Sequence, residues 1–228
     1  MTQLPIHIGL RFFGEMTASV SHEIKNRMAV INEQAGLLED FLGMAERGKP
    51  LDPDRLKRLA ENVKTQISMA DDIIRTMNRF AHSADALWLD ADVAAIPPLS
   101  AALARRLARG RNITLDAPPP EAPARAETSP FLVMNLIWSC LDGLMAAGLR
   151  ETEIAIRTEA TPEAVRLLLT ADAAPETWRT LLDKNPTASL LAALGAEAAV
   201  PTEAGRPFTL SLPKKRAESS TTAGASAA

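Results

Sequence analysis

Sixteen prolines punctuate this 228-residue chain, yet none falls within residues 6–49 or 54–96. Proline inside a helix removes a backbone hydrogen bond and clashes with the preceding turn, so two long proline-free runs predict two long helices. The break between them, Gly48-Lys49-Pro50-Leu51-Asp52-Pro53, predicts a turn. Asp52 is placed to cap the second helix, with Pro53 at its first position. Apolar residues of the first run recur in steps of three or four, at Phe13, Met16, Val20, Ile24, Met28, Ile31, Ala35, Leu38 and Leu42. Those of the second are Leu56, Leu59, Val63, Ile67, Ala70, Ile74 and Met77. Each set forms one helical stripe. A helix over about 8–46 is roughly 58 Å long, and two such helices on a short loop make an antiparallel hairpin. One hairpin cannot surround its own stripes. Pairing two copies into a four-helix bundle hides both, so the expectation is a homodimer built on residues 1–85.

From about residue 97 the pattern changes. Prolines cluster at 97–98 and 118–120. Short β-like runs appear at 112–115, 153–157, 164–169 and 207–212, with helical patterns between them at about 97–109, 129–147 and 187–195. Residues 86–213 therefore predict an α+β domain, a sheet with its helices on one face. Residues 214–228 end in Ser, Thr, Ala and Gly and predict a disordered tail.

Composition narrows the function. Aromatics are 4% with no tyrosine, so base-stacking surfaces are not expected. A net charge of −3 without a basic run disfavours a phosphate-neutralising DNA surface, and no nucleic-acid partner is expected. The lone cysteine, Cys140, rules out an internal disulfide and a multi-cysteine metal site and reads as a buried small hydrophobe. Histidines 7, 22 and 82 leave little for a metal centre. No apolar run approaches the ~20 residues of a membrane span, and the N-terminus lacks the features of a signal peptide. The expectation is a soluble, cytoplasmic protein with no membrane partner.

The segment Ser19-Val20-Ser21-His22-Glu23-Ile24-Lys25-Asn26-Arg27-Met28 stands out. His22 lies two residues, about 200°, from both Val20 and Ile24 of the apolar stripe, so it faces solvent. Asn26 is one turn on and shares its face, and Glu23 is adjacent. Neutral imidazole is a competent nucleophile near neutral pH. A carboxylate accepting from one ring nitrogen orients the ring, leaves the other free to attack, and stabilises developing imidazolium. An amide one turn away is placed to hold a water or a phosphoryl oxygen. An exposed histidine flanked by charge is more often only a solvated face. Asp71-Asp72 likewise reads better as a solvated face than as a paired acid site.

Ser21-His22-Glu23-Ile24-Lys25-Asn26 resembles the H-box of two-component sensor histidine kinases. The resemblance implies a helical hairpin that dimerises, with His22 as the phospho-accepting histidine and Glu23 as the acidic residue that assists it. Asn26 matches the position that orients a hydrolytic water in phosphatase-type members. Arg27 departs from the proline that many members carry there. Residues 90–115 resemble the start of the kinase ATP-binding domain, and residues 131–142 resemble its N-box. By this resemblance residues 86–213 are a kinase ATPase-like α/β sandwich.

Within that resemblance the nucleotide residues are eroded. The magnesium-binding asparagine falls at Ser139, Asn135 matches only a helix-packing asparagine, and Asp172 lacks the neighbouring glycines. No glycine lies between Gly148 and Gly195, although phosphate cradles need close backbone approach. The stretch from Pro175 to Pro186 is short for an ATP lid. The expectation is a degenerate, pseudokinase-like domain and a histidine phosphotransferase that relays phosphate between response-regulator receiver domains through His22. It needs no cofactor of its own, any magnesium coming with the receiver. Docking is expected around His22, on Ser19, Lys25 and Arg27. The alternatives are a sensor histidine kinase core with an atypical ATP site, and a non-catalytic receiver-binding scaffold dimer.

Overall fold

Helix α1 spans Ile6–Glu46 and α2 spans Pro53–His82, as the proline-free runs dictate. The computed structural model describes residues 6–184 and 186–215; of the expected tail over 214–228, residues 216–228 lie outside them, while Lys214 is hydrogen-bonded through its backbone to Glu127 and Glu163. The described chain divides into two units.

The first unit is the hairpin, Phe13–His82. Its turn follows from local chemistry. Gly48 takes φ +81°, a left-handed conformation that suits glycine at a helix end, and Lys49 N–H donates to the Met44 carbonyl at 3.1 Å. Asp52 caps α2 as expected: its Oδ1 accepts from the backbone N–H of Asp54 at 3.0 Å and of Arg55 at 3.4 Å. At the opposite end the rings of Phe13 and Phe80 stack with centroids 5.3 Å apart. Midway, Arg27 of α1 donates to Gln66 of α2. The pairs 13/80 and 27/66 lie on one antiparallel register.

The second unit joins residues up to Phe12 with those from Ser83 on. The first turns of α1 belong here because Phe12 packs on Phe131, centroids 5.4 Å apart, and Gly9 brings the helix against the same ring. Strand β1 (Leu89–Asp92) leads through a 3-10 turn to α3 (Ile96–Arg109), β2 (Thr114–Asp116), β3 (Arg125–Thr128) and α4 (Pro130–Ala146). Then follow β4 (Glu153–Ala160), β5 (Ala164–Thr170), α5 (Pro175–Asp183), α6 (Thr187–Leu194), β6 (Glu197–Ala199) and β7 (Phe208–Pro213). The larger sheet runs β2-β4-β5-β7-β6; β2 and β4 are parallel and the other pairs antiparallel. Alternate residues Ile154, Ile156, Val165, Leu167, Leu169, Phe208, Leu210 and Leu212 are buried, giving the sheet one apolar face. Helix α4 is buried almost throughout and is capped by Ser129, whose Oγ accepts from Leu132 N–H. This is the α+β architecture expected from the sequence.

Four elements were not expected. β1 and β3 form a separate antiparallel pair, tied by Asp92 Oδ1 accepting from Ala124 N–H at 2.9 Å and by Arg125 donating to Asp90. The short β6 borders β7. The stretch after Pro175 is a helix: proline sits at its first turn, and Trp178 and Leu181 are buried, Trp178 stacking on Phe208 with centroids 4.6 Å apart.

Candidate functional site

His22 and Asn26 are both exposed on α1, as the helical phase requires. Asn26 Nδ2 lies 3.3 Å from His22 Nδ1. An amide NH2 donates and does not accept, so this contact is a hydrogen bond in the His22 tautomer whose Nδ1 accepts. Glu23 is half-buried and makes no hydrogen bond or ion pair among the described residues. Adjacent helical residues diverge by about 100°. The partner of Nδ1 is therefore the amide one turn on rather than the neighbouring carboxylate.

The three residues expected to dock a partner separate. Lys25 is exposed. Ser19 is only 2% exposed. Arg27 is half-buried and turns toward α2: Nη1 donates to Gln66 Oε1 at 3.1 Å and lies 3.5 Å from Met69 Sδ. Gln66, itself buried, also donates to Asn62 Oδ1 at 3.4 Å. Gln66 was not singled out in the sequence; its role appears only once the hairpin register places it opposite Arg27.

The N-box-like helix is occupied by packing. Ser139 Oγ lies 2.6 Å from Thr187 Oγ1, and both residues are buried. Gly143 admits Leu181, whose Cδ2 would lie 2.0 Å from a Cβ at that position. Asn135 is buried, and Asp172 is exposed between buried Ala171 and Ala173. Burial pushes the Cys140 thiol up to about 12. Asp71 is exposed and pairs with Arg75 one turn on, a solvated helix face as expected. Among the described residues no group of His, Cys, Asp and Glu is placed to hold a metal ion, and no helix is long and apolar enough to cross a membrane.

No protein-family model matches the sequence, and no curated protein matches it significantly. Similar solved structures include the Acinetobacter baumannii histidine kinase AdeS, at 12% identity and a TM-score of 0.44, covering 85% of this chain and 98% of that one. Histidine kinase ThkA in complex with the response regulator TrrA is similar at 17% identity and a TM-score of 0.44, over 90% of this chain and 63% of that one. A bacterial phosphotransferase is similar at 16% identity and a TM-score of 0.42, over 92% of this chain and 98% of that one.

Proposed function

We propose that this chain is a dimeric histidine phosphotransferase that relays a phosphoryl group between receiver-domain aspartates through His22, without using ATP. The observation that carries the proposal is the exposed imidazole of His22 on α1, with the Glu23 carboxylate adjacent in the helix and the Asn26 amide one turn on. In the transfer, an N–P bond forms on the ring as the aspartyl O–P bond breaks, and the bonding pair leaves on the receiver carboxylate. The ring becomes cationic, and the Glu23 carboxylate beside it lowers the energy of that charge. Lys25, exposed next in the helix, offsets charge on the phosphoryl oxygens of a loose transition state.

The α+β unit supports a donor other than ATP. Ser139, where the resemblance places a magnesium ligand, has its hydroxyl engaged by Thr187 in a buried contact. Asp172 faces solvent, and α5 occupies most of the Pro175–Pro186 stretch that the resemblance assigns to a lid. These residues do not fit a bound nucleotide and its magnesium. On the hairpin, Leu38, Leu42, Ile67 and Ile74 remain exposed, and a second copy is the proposed cover.

The test is incubation with a phosphate-labelled receiver and, separately, with labelled ATP. Label should reach the wild type from the receiver only, and His22→Gln should not take it up. Relay by His22→Gln, or calorimetric ATP affinity in the micromolar range, overturns the proposal.

A further inference from the structure

We propose that Asn26 masks His22 by holding its ring in the tautomer that cannot attack at Nε2; the inference rests on the relay function proposed above. The NH2 group of Asn26 sits 3.3 Å from Nδ1. Because that group only donates, Nδ1 must present its lone pair, and a neutral imidazole that accepts at Nδ1 carries its proton on Nε2. Both ring nitrogens are then unavailable: Nδ1 through its hydrogen bond, Nε2 through its proton. Glu23, the group suited to accept from an Nδ1–H and free the other nitrogen, has no partner among the described residues.

Activation is a proton shift and an exchange of partners. The Asn26 contact breaks, the Nε2 proton passes to solvent, and Nδ1 takes a proton from solvent. Nε2 now has its lone pair. It attacks phosphorus, the aspartyl O–P bond breaks, and the Nδ1 proton stays on the resulting phosphohistidine. The contact is exposed and 3.3 Å long, and one exposed hydrogen bond of this kind shifts such an equilibrium by about threefold. A docked receiver that draws the Asn26 amide to its own polar groups would thus raise the population of the attacking tautomer by about threefold. Asn26 is in this account a positioning residue.

Substitution at Asn26 reads this directly. Asn26→Ala removes the donor. Asn26→Asp replaces it with an acceptor, which favours a proton on Nδ1. Nitrogen NMR of the His22 ring distinguishes the tautomers, recorded on the full chain at mildly alkaline pH where an imidazole is neutral, with His22→Gln assigning the signals. The wild type should be predominantly Nε2–H, Asn26→Ala should lower that fraction, and Asn26→Asp should be predominantly Nδ1–H. Both variants should accept phosphate from a labelled receiver about threefold faster than wild type, or more. A wild-type ring that is predominantly Nδ1–H overturns the proposal, as does a tautomer balance that Asn26→Asp leaves unchanged. Variants that shift the tautomer but accept phosphate no faster also overturn it. If no protein, wild type included, accepts phosphate, the relay function fails, while the ring spectra still decide the tautomer.

Discussion

Arg27 of α1 donates from Nη1 to Oε1 of Gln66 on α2 across 3.1 Å, joining the two helices of the hairpin 39 residues apart in sequence. Arg27 is thereby a strut of the hairpin as well as a neighbour of the proposed phospho-accepting His22. Removing it leaves the buried Gln66 carbonyl without that donor and strips packing from the helix seam. Arg27→Ala should lower unfolding free energy by about 1–3 kcal/mol. Lys25→Ala removes an exposed charge and should change stability by less than about 0.5 kcal/mol. Denaturant unfolding and receiver titration separate the two. Lys25→Ala should weaken receiver binding and reduce its salt dependence at unchanged stability. An Arg27→Ala protein with wild-type stability contradicts the strut.

The exposed residues Ile67 and Ile74 belong to the apolar stripe of α2 that is legible from spacing alone, while Gln66 and Ala70 of the same helix are buried. Ile67 is 54% exposed, so a charge there costs a single hairpin little. In the seam of a four-helix bundle the same charge costs several kcal/mol. Ile67→Glu should therefore keep its helical circular dichroism and turn from dimer to monomer in light scattering. A wild type that is monomeric at micromolar concentration removes the bundle altogether.

The two helices, the Asp52-Pro53 cap and the outward phase of His22 were readable because each depends on residues within a turn or two. So were β4, β5 and β7, whose alternating apolar residues face one side. β1 was hidden because Leu89-Asp90-Ala91-Asp92 offers one buried alanine and two acids; its pairing with β3 depends on Asp90 and Asp92 meeting residues more than thirty positions away. α5 was hidden by its opening proline, which marks a loop and a helix start equally. At the site, the sequence placed Asn26 on the face of His22 but not the atom it would meet. The hydrogen bond to Nδ1 depends on both side-chain torsions, which residue spacing does not fix.

Cys140 sets a pH dependence. Its thiol is fully buried, and burial raises it to about 12, above the ~8.5 of an unfolded cysteine. The folded state therefore holds this proton where the unfolded state has released it. Below pH about 8.5 both states are protonated and the group is silent. Between about 8.5 and 12 the unfolded state binds fewer protons, so stability falls by up to about 1.4 kcal/mol per pH unit. Cys140→Ala should flatten that part of the profile of denaturation midpoint against pH while costing stability at neutral pH. In the wild type, thiol reagents should label Cys140 only as fast as the α+β unit opens; labelling that follows reagent concentration without saturating would show an accessible thiol instead.

Glu23 tests whether charge or shape assists the ring. It is half-buried beside His22 and has no partner among the described residues, so its carboxylate acts on the ring through space. Phosphoryl transfer makes the ring cationic, and a carboxylate nearby is worth more to that state than to the neutral ring before transfer. Glu23→Gln keeps the shape and removes the charge; Glu23→Ala removes both. Both should slow acceptance from a receiver by about tenfold, about 1.4 kcal/mol of barrier, with receiver affinity unchanged. The dependence should appear in the maximal single-turnover rate at saturating receiver, because the charge develops only as the N–P bond forms. A Glu23→Gln protein with the wild-type rate, beside a slow Glu23→Ala, would assign the residue to packing and leave the cation on His22 to be stabilised by the receiver.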